Sequence, residues 1–235
     1  MSTKAAQVPA LRHASHAYGR RSCQTLERTV PAIALLVDFD GVIRRWSADD
    51  ARIERHCGLP TGAIRRVAFS PGLLLPAITG AVSDEAWRQG AAAELQQQYP
   101  GSSANEAVAQ WSSSPGEVDS EVLAVLSRCR PGLRVILATN ATTRLASDLH
   151  LLGLSQYFRA VANSSELKAA KPSAQYFRAA LSRAGVQADE ALFVDDTRSN
   201  VEAAAAVGML AHHFTGHAAL SQFLGEAGAL SENAL

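Results

Sequence analysis

Two aspartates separated by one residue, Asp38 and Asp40, are the first side chains in the sequence whose types and spacing could perform chemistry. They directly follow an apolar run, and Gly41 permits a tight turn that would point both carboxylates into one crevice. One carboxylate could act as a nucleophile while the other transfers protons, as phosphoryl transfer requires. A solvated acidic turn could have the same sequence, so the pair alone leaves both interpretations open.

Three further polar clusters occur later in the chain. Thr139 and Asn140 offer a hydroxyl and nearby backbone N–H groups for a phosphate oxygen, although a helix cap would have the same residues. Lys171 offers a compact positive charge, although most lysines simply lie on the surface. Asp195 and Asp196 repel each other unless a cation such as magnesium lies between them. In combination, and in this order, the clusters predict one site for phosphate and Mg²⁺.

The clusters at Asp38, Thr139 and Asp195 each follow an apolar run short enough to be a buried strand. The strong runs span residues 32–37, 133–138 and 191–194, the weaker ones residues 159–162 and 209–214, and helical patterns span residues 142–152, 173–184 and 200–207. Strands that alternate with helices predict an α/β fold with a doubly wound parallel sheet. The three clusters would then meet at the carboxyl edge of the sheet, where such folds bind ligands.

Residues 44–116 break this alternation, because they contain helix signals and no strand pattern. Ser83, Asp84 and Glu85 combine a capping side chain with acids in a first helical turn, and a second helix is predicted over residues 104–111. The segment is too long for a loop, so we interpret it as a small helical domain inserted after the first strand. The α/β core would comprise residues 31–43 and 117–235.

Composition limits the partners and the location of the protein. The chain has 22 lysines and arginines and 22 aspartates and glutamates, so its net charge is zero. This balance gives no electrostatic reason to expect nucleic acid or an anionic membrane as a partner. The longest apolar run is far too short to span a bilayer, and the three cysteines lack metal-ligand spacing, which favours a reducing, cytoplasmic location. Residues 1–30 are basic and are predicted to be a disordered tail, with a targeting segment as the alternative. The sequence does not indicate an oligomeric state.

Taken together, the four clusters resemble the motifs of the haloacid dehalogenase-like superfamily. These motifs read here as residues 38–42, Thr139-Asn140, Lys171-Pro172 and residues 193–200. The resemblance extends over about residues 32–224, and the helical insertion is similar to the small cap domain of that family. It implies a Rossmann-like core with a helical cap, and a hydrolase activity.

The resemblance also implies a role for each motif residue. Asp38 would attack phosphorus and carry the phosphoryl group, and Asp40 would be the general acid and base. Thr139, with Asn140, would bind phosphoryl oxygens, and Lys171 would balance their charge.

Mg²⁺ would be held by Asp38, the Asp40 backbone carbonyl and Asp196, with Asp195 acting directly or through water. Asn200 departs from the family pattern, because many members carry a second acid there, and its part in the metal site stays open.

A phosphatase for a small phosphorylated metabolite, such as a sugar phosphate, is the function that these residues favour. Dehalogenases of this family typically lack the second aspartate, since a halide needs no acid to leave, so Asp40 favours an oxygen leaving group. A phosphomutase and a catalytically silent regulatory or binding domain are the alternatives. Arg44, Arg45 and Trp46 follow the first motif and are candidates for contacts with the rest of the substrate.

Overall fold

A computed structural model describes residues 30–46 and 49–231 of the chain. The strands are β1 (Ala34–Val37), β2 (Arg44–Arg45), β3 (Glu117–Val118), β4 (Arg134–Thr139), β5 (Ala160–Asn163), β6 (Ala191–Asp195) and β7 (Leu210–His213). The helices are α1 (Asp50–His56), α2 (Ala63–Ala68), α3 (Pro71–Ile78), α4 (Asp84–Gln98), α5 (Ala104–Trp111), α6 (Ser120–Ser127), α7 (Leu145–Leu151), α8 (Ser164–Leu167), α9 (Ala174–Ala184), α10 (Arg198–Ala206) and α11 (His217–Glu226). The predicted tail, residues 1–30, lies outside the described residues apart from Val30.

Five of these strands form a parallel sheet in the order β5-β4-β1-β6-β7. β1 lies in the middle, and all four of its residues are buried because helices cover both faces of the sheet. Alternate side chains of β1 and β4 enter two separate hydrophobic clusters, which lie on the opposite faces. The α/β fold with a parallel sheet is therefore confirmed, and the strand ends differ from the predicted ones by one or two residues.

Helices α1 to α5 interrupt the core between β2 and β3. Their apolar side chains form a third hydrophobic cluster, whose fully buried members all come from residues 53–108. Helix α4 begins where the sequence predicts, because the Ser83 side chain accepts a hydrogen bond from the backbone N–H of Ala86. A separate core is the property expected of an inserted domain.

The two ends of this insertion are paired with each other. β2 and β3 form a two-stranded antiparallel ladder in which Arg44 faces Val118 and Arg45 faces Glu117. No sequence pattern predicts β2, because two residues are too few to show the alternation of a strand. The ladder brings the beginning and the end of the insertion side by side.

Among the described residues, no helix combines the length and the apolar character that crossing a membrane requires.

Candidate active site

The ends of β1 and β6 bring Asp38 and Asp195 together. The two strands are parallel neighbours, and the backbone N–H of Asp38 donates to the carbonyl of Val194 over 2.9 Å. Both aspartates are buried, with 6 % and 0 % of their surface exposed. Two carboxylates cannot be buried side by side without compensating charge or hydrogen bonds.

Lys171 supplies this compensating charge. Its Nζ lies 2.8 Å from Oδ1 of Asp38 and 2.6 Å from Oδ2 of Asp195, and it also donates to the carbonyl of Ala138 over 3.0 Å. The loop that carries Lys171 is fixed by Asn140, whose side chain exchanges two hydrogen bonds with the Lys171 backbone, at 2.8 and 3.0 Å. Asn140 therefore orients the lysine, a contact that sequence reasoning missed because 31 residues separate the two.

Burial and charge act in opposite directions on this trio. Burial raises the pKa of Asp38 to about 7; Lys171 opposes the rise and the Asp195 carboxylate adds to it. Burial alone would lower the pKa of Lys171, but its ion pairs with Asp38 and Asp195 outweigh it and raise that pKa, so the lysine stays charged. A cation beside Asp38 would favour its ionised form.

A third carboxylate completes a group that could hold such a cation. One oxygen each from Asp38, Asp195 and Asp196 lie within 4.8 Å of one another, and Asp196 is exposed. Opposite ligands of an octahedral Mg²⁺ lie about 4.2 Å apart, so oxygens within 4.8 Å of one another are close to the spacing of its ligands. The chain makes room at Gly41, whose φ is +84° and where a Cβ would lie 2.0 Å from Oδ2 of Asp196.

Asp195 is occupied mainly by protein donors. The backbone N–H of Thr197 donates to its Oδ1 over 2.8 Å, and the Asn200 amide donates to both of its oxygens over 3.0 and 3.1 Å. Asn200 is thus a buried support for Asp195.

Asp40 follows Asp38 by two residues, and two side chains hold its carboxylate. The guanidinium of Arg44 donates to both carboxylate oxygens over 2.7 and 3.0 Å, and the indole N–H of Trp46 donates over 2.8 Å. Arg44 lies between the rings of Phe39 and Trp46, at 4.3 and 4.2 Å from their centroids. Its remaining nitrogen donates to Asp148 over 2.8 Å.

The three predicted substrate contacts differ in their surroundings. Arg44 is buried, and protein groups bind its guanidinium. Arg45 is exposed and lies 3.5 Å from Asp119. Trp46 lines a cavity and is 44 % exposed.

Thr139 ends β4 and is buried beside Ala138, so the structure brings it to the same sheet edge as Asp38 and Lys171.

The cavity, of about 540 Å³, lies between this sheet edge and the inserted helices. The core side contributes Asp40, Asn140 and Thr142, and the insertion contributes Phe69 and Trp111 among others. Sequence reasoning missed Phe69, since a single aromatic residue at the end of a short helix has no recognisable pattern.

Hydrogen bonds attach the insertion to the core beside the cavity. The Thr142 hydroxyl donates to Oδ1 of Asp84 over 2.8 Å, and the backbone N–H of Asp84 donates to the Thr143 hydroxyl over 3.0 Å. Arg144 donates to the carbonyls of Ser112 and Ser114 in the returning linker. The loop after β4 therefore holds both the start of α4 and the end of the insertion.

Known proteins share this architecture. The haloacid dehalogenase-like hydrolase family model matches residues 61–208. A haloacid dehalogenase family enzyme from Bacteroides thetaiotaomicron, solved with magnesium and inorganic phosphate, superposes with a TM-score of 0.62 at 21 % identity, over 77 % of this chain and 93 % of that one. A predicted hydrolase of that family from Porphyromonas gingivalis gives 0.61 at 21 % identity, over 82 % and 98 %.

The similarity extends to a different chemistry. The L-2-haloacid dehalogenase of Xanthobacter autotrophicus, solved with chloropropionic acid covalently bound, gives a TM-score of 0.58 at 16 % identity, over 86 % of both chains. Comparison with curated protein sequences finds no significant match.

Proposed function

The chain belongs to the haloacid dehalogenase-like hydrolases, and on this premise we propose that it is a magnesium-dependent phosphatase. It would hydrolyse a small phosphate monoester through a phosphoryl group carried on Asp38. The core would perform the chemistry, and residues 44–116 would act as a cap that selects the substrate.

The second carboxylate, Asp40, carries the proposal. It lines the cavity and is held by Arg44, whereas Asp38 lies buried against Lys171. An alkoxide leaving group needs a proton, whereas a halide leaves without one. Halide displacement would not need Asp40 as an acid. The pair therefore supports attack at phosphorus over attack at a halogenated carbon.

In the first step, an oxygen of Asp38 forms a bond to phosphorus while the bond between phosphorus and the ester oxygen breaks. Asp40, once protonated on an oxygen that Arg44 or Trp46 has released, gives its proton to that ester oxygen, so the product leaves as an alcohol. In the second step, Asp40 takes a proton from water, which attacks phosphorus and releases phosphate from Asp38. Thr139 holds a phosphoryl oxygen in place during both steps, and the charge of Lys171, beside Asp38, balances that of the phosphoryl group.

The side chains of Asp38 and Asp196, with the Asp40 backbone carbonyl, would hold Mg²⁺, and Asp195 would support them. The relative from Bacteroides thetaiotaomicron, solved with magnesium and phosphate, supports this choice of ion. When bound, the ion neutralises negative charge on the phosphoryl group.

A panel of phosphate monoesters and 2-haloacids, assayed with Mg²⁺ and with EDTA, tests the proposal. We expect phosphate release that needs Mg²⁺ and is lost in Asp38→Asn. Glu121→Gln is the matched control, because this exposed acid lies in the first turn of α6 and should keep full activity. Acid quenching during turnover should trap phosphate on the protein. Phosphate release by folded Asp38→Asn, or halide release without phosphate release, would refute the proposal.

A further inference from the structure

The insertion contributes a cluster of aromatic side chains to the cavity, beside its charged residues. Phe69 stacks on Trp87 with centroids 6.2 Å apart and planes 16° apart, and Trp111 meets both rings edge-on at 5.8 Å. Trp87 is almost buried, but Phe69 keeps 42 % of its surface exposed. Trp46, which directly follows β2, adds a second exposed aromatic side chain. Apolar rings left exposed inside a concave site indicate what the site binds.

The charges of the same cavity are already neutralised. In the described part of the chain, every arginine that lines the cavity is ion-paired with an aspartate that also lines it: Arg44, Arg52, Arg65, Arg88 and Arg144. A second phosphate or a carboxylate on the substrate would have to break one of these pairs to find a partner. The cavity is therefore poorly suited to a substrate with a second anionic group.

Two of the hydroxyl groups that line the cavity already donate to protein carbonyls. The hydroxyls of Ser112 and Ser113 donate to the carbonyls of Val108 and Gln110, within the same helical segment. A polyhydroxylated substrate loses its hydrogen bonds to water on binding and needs replacements from the protein. A sugar phosphate, which the sequence suggests as an example, would therefore gain no hydroxyl donor from Ser112 or Ser113 without breaking these hydrogen bonds.

We propose that the substrate is a phosphate monoester whose leaving group carries a planar aromatic ring, and that Phe69 is the residue that selects it. This inference rests on the proposed function, because it places the phosphoryl group at Asp38 and the ring at the inserted helices. A ring packing on Phe69, beside the Arg65 guanidinium that lies 5.7 Å from its centroid, extends the aromatic cluster of Phe69, Trp87 and Trp111. A cavity of about 540 Å³ can hold such a ring.

Three monoesters test the inference: propyl, 3-phenylpropyl and 3-cyclohexylpropyl phosphate. Their leaving alcohols react alike, because the ring lies three carbons from the ester oxygen. We expect kcat/KM to be highest for the phenyl compound. Phe69→Leu removes the aromatic pair between Phe69 and the phenyl ring. The ratio of kcat/KM for the phenyl compound over the cyclohexyl compound should therefore fall by about threefold to tenfold in this variant. Phe69→Tyr should restore this preference, since it keeps the ring.

Leu75→Ala is the matched control. Leu75 is a 54 % exposed apolar residue of α3 in the same insertion, and it does not line the cavity. This variant should keep the wild-type preference. If the wild-type protein treats phenyl and cyclohexyl compounds alike, or if Leu75→Ala changes the preference as much as Phe69→Leu does, the inference is wrong.

Binding of the corresponding phosphonates separates this inference from the proposed function. These compounds cannot be hydrolysed, and quenching of tryptophan fluorescence reports their binding. Tighter binding of the phenyl compound in a protein that releases no phosphate would refute the phosphatase and keep the aromatic site. Phosphate release with no preference for phenyl would refute the aromatic site and keep the phosphatase.

Discussion

Replacing Gly41 with alanine is expected to impair magnesium binding much more than it impairs folding. A Cβ at this position would lie 2.0 Å from Oδ2 of Asp196, whereas ordinary contacts begin at 3.4 Å. The Asp196 carboxylate must therefore move away by more than about 1 Å. Mg²⁺ holds its oxygen ligands at about 2.0 to 2.1 Å in a nearly ideal octahedron, so it tolerates little displacement of a ligand.

The two effects of the substitution differ in size. Losing one well-placed carboxylate should raise the Mg²⁺ concentration for half-maximal activity by about tenfold or more. The free energy of unfolding should fall by only about 1 to 2 kcal/mol, because alanine resists the left-handed backbone. The clash itself adds little to this cost, since the exposed Asp196 side chain can rotate towards water.

Gly132→Ala is the matched control for backbone strain. Gly132 has φ +91°, close to the +84° of Gly41, but a Cβ there would have no heavy atom within 4 Å. Both variants should lose similar stability in urea titrations without metal. Only Gly41→Ala should need more Mg²⁺ for activity and for thermal stabilisation. A wild-type response of Gly41→Ala to Mg²⁺ would show that Asp196 is not a metal ligand.

Three other substitutions test the folding side of the structure. Burial raises the pKa of Asp38 from 3.8 to about 7. Without metal, Asp38 should therefore lower the free energy of unfolding as pH rises across that interval, and the Asp38→Asn protein should lack this fall in urea titrations. Parallel pH profiles of the wild-type and Asp38→Asn proteins would contradict this. Asp148→Ala leaves Arg44 and Arg144 without their shared partner. It should lower the free energy of unfolding by about 3 to 5 kcal/mol, and a loss below about 1 kcal/mol would show that these ion pairs contribute little to stability. Trp87→Ala should lower the free energy of unfolding by about 3 to 5 kcal/mol. Circular dichroism should show the inserted helices unfolding before the sheet domain, and a single unfolding transition like that of the wild-type protein would argue against a separate core in the insertion.

The sequence predicts the sheet edge well, because long buried apolar runs leave little choice of structure. The runs that end on Asp38, Thr139 and Asp195 became β1, β4 and β6. Neighbouring parallel strands must then bring their carboxyl ends together. The meeting of these three residues follows from topology, without knowledge of any side-chain contact.

The contacts around Asp40 could not be predicted in the same way. Arg44 reaches Asp148 across 104 residues of sequence, and neither residue belongs to a recognisable motif. Helices α1 to α3 contain only six to eight residues each, too few for a clear periodicity. The position of Phe69 in the cavity depends on how these short helices pack, so the shape of the cavity is a tertiary property.

The ladder between β2 and β3 has a consequence for how proteins with this architecture diversify. Antiparallel partners are only about 5 Å apart, so the chain leaves the core and returns to it at nearly one point. To the core, the whole insertion is equivalent to one hairpin loop, and lengthening a loop costs little free energy. Recombination can therefore replace these helices with another domain while Asp38 and Lys171 stay where they are. With the insertion acting as the proposed cap, such a replacement would change the substrate and leave the sheet edge intact.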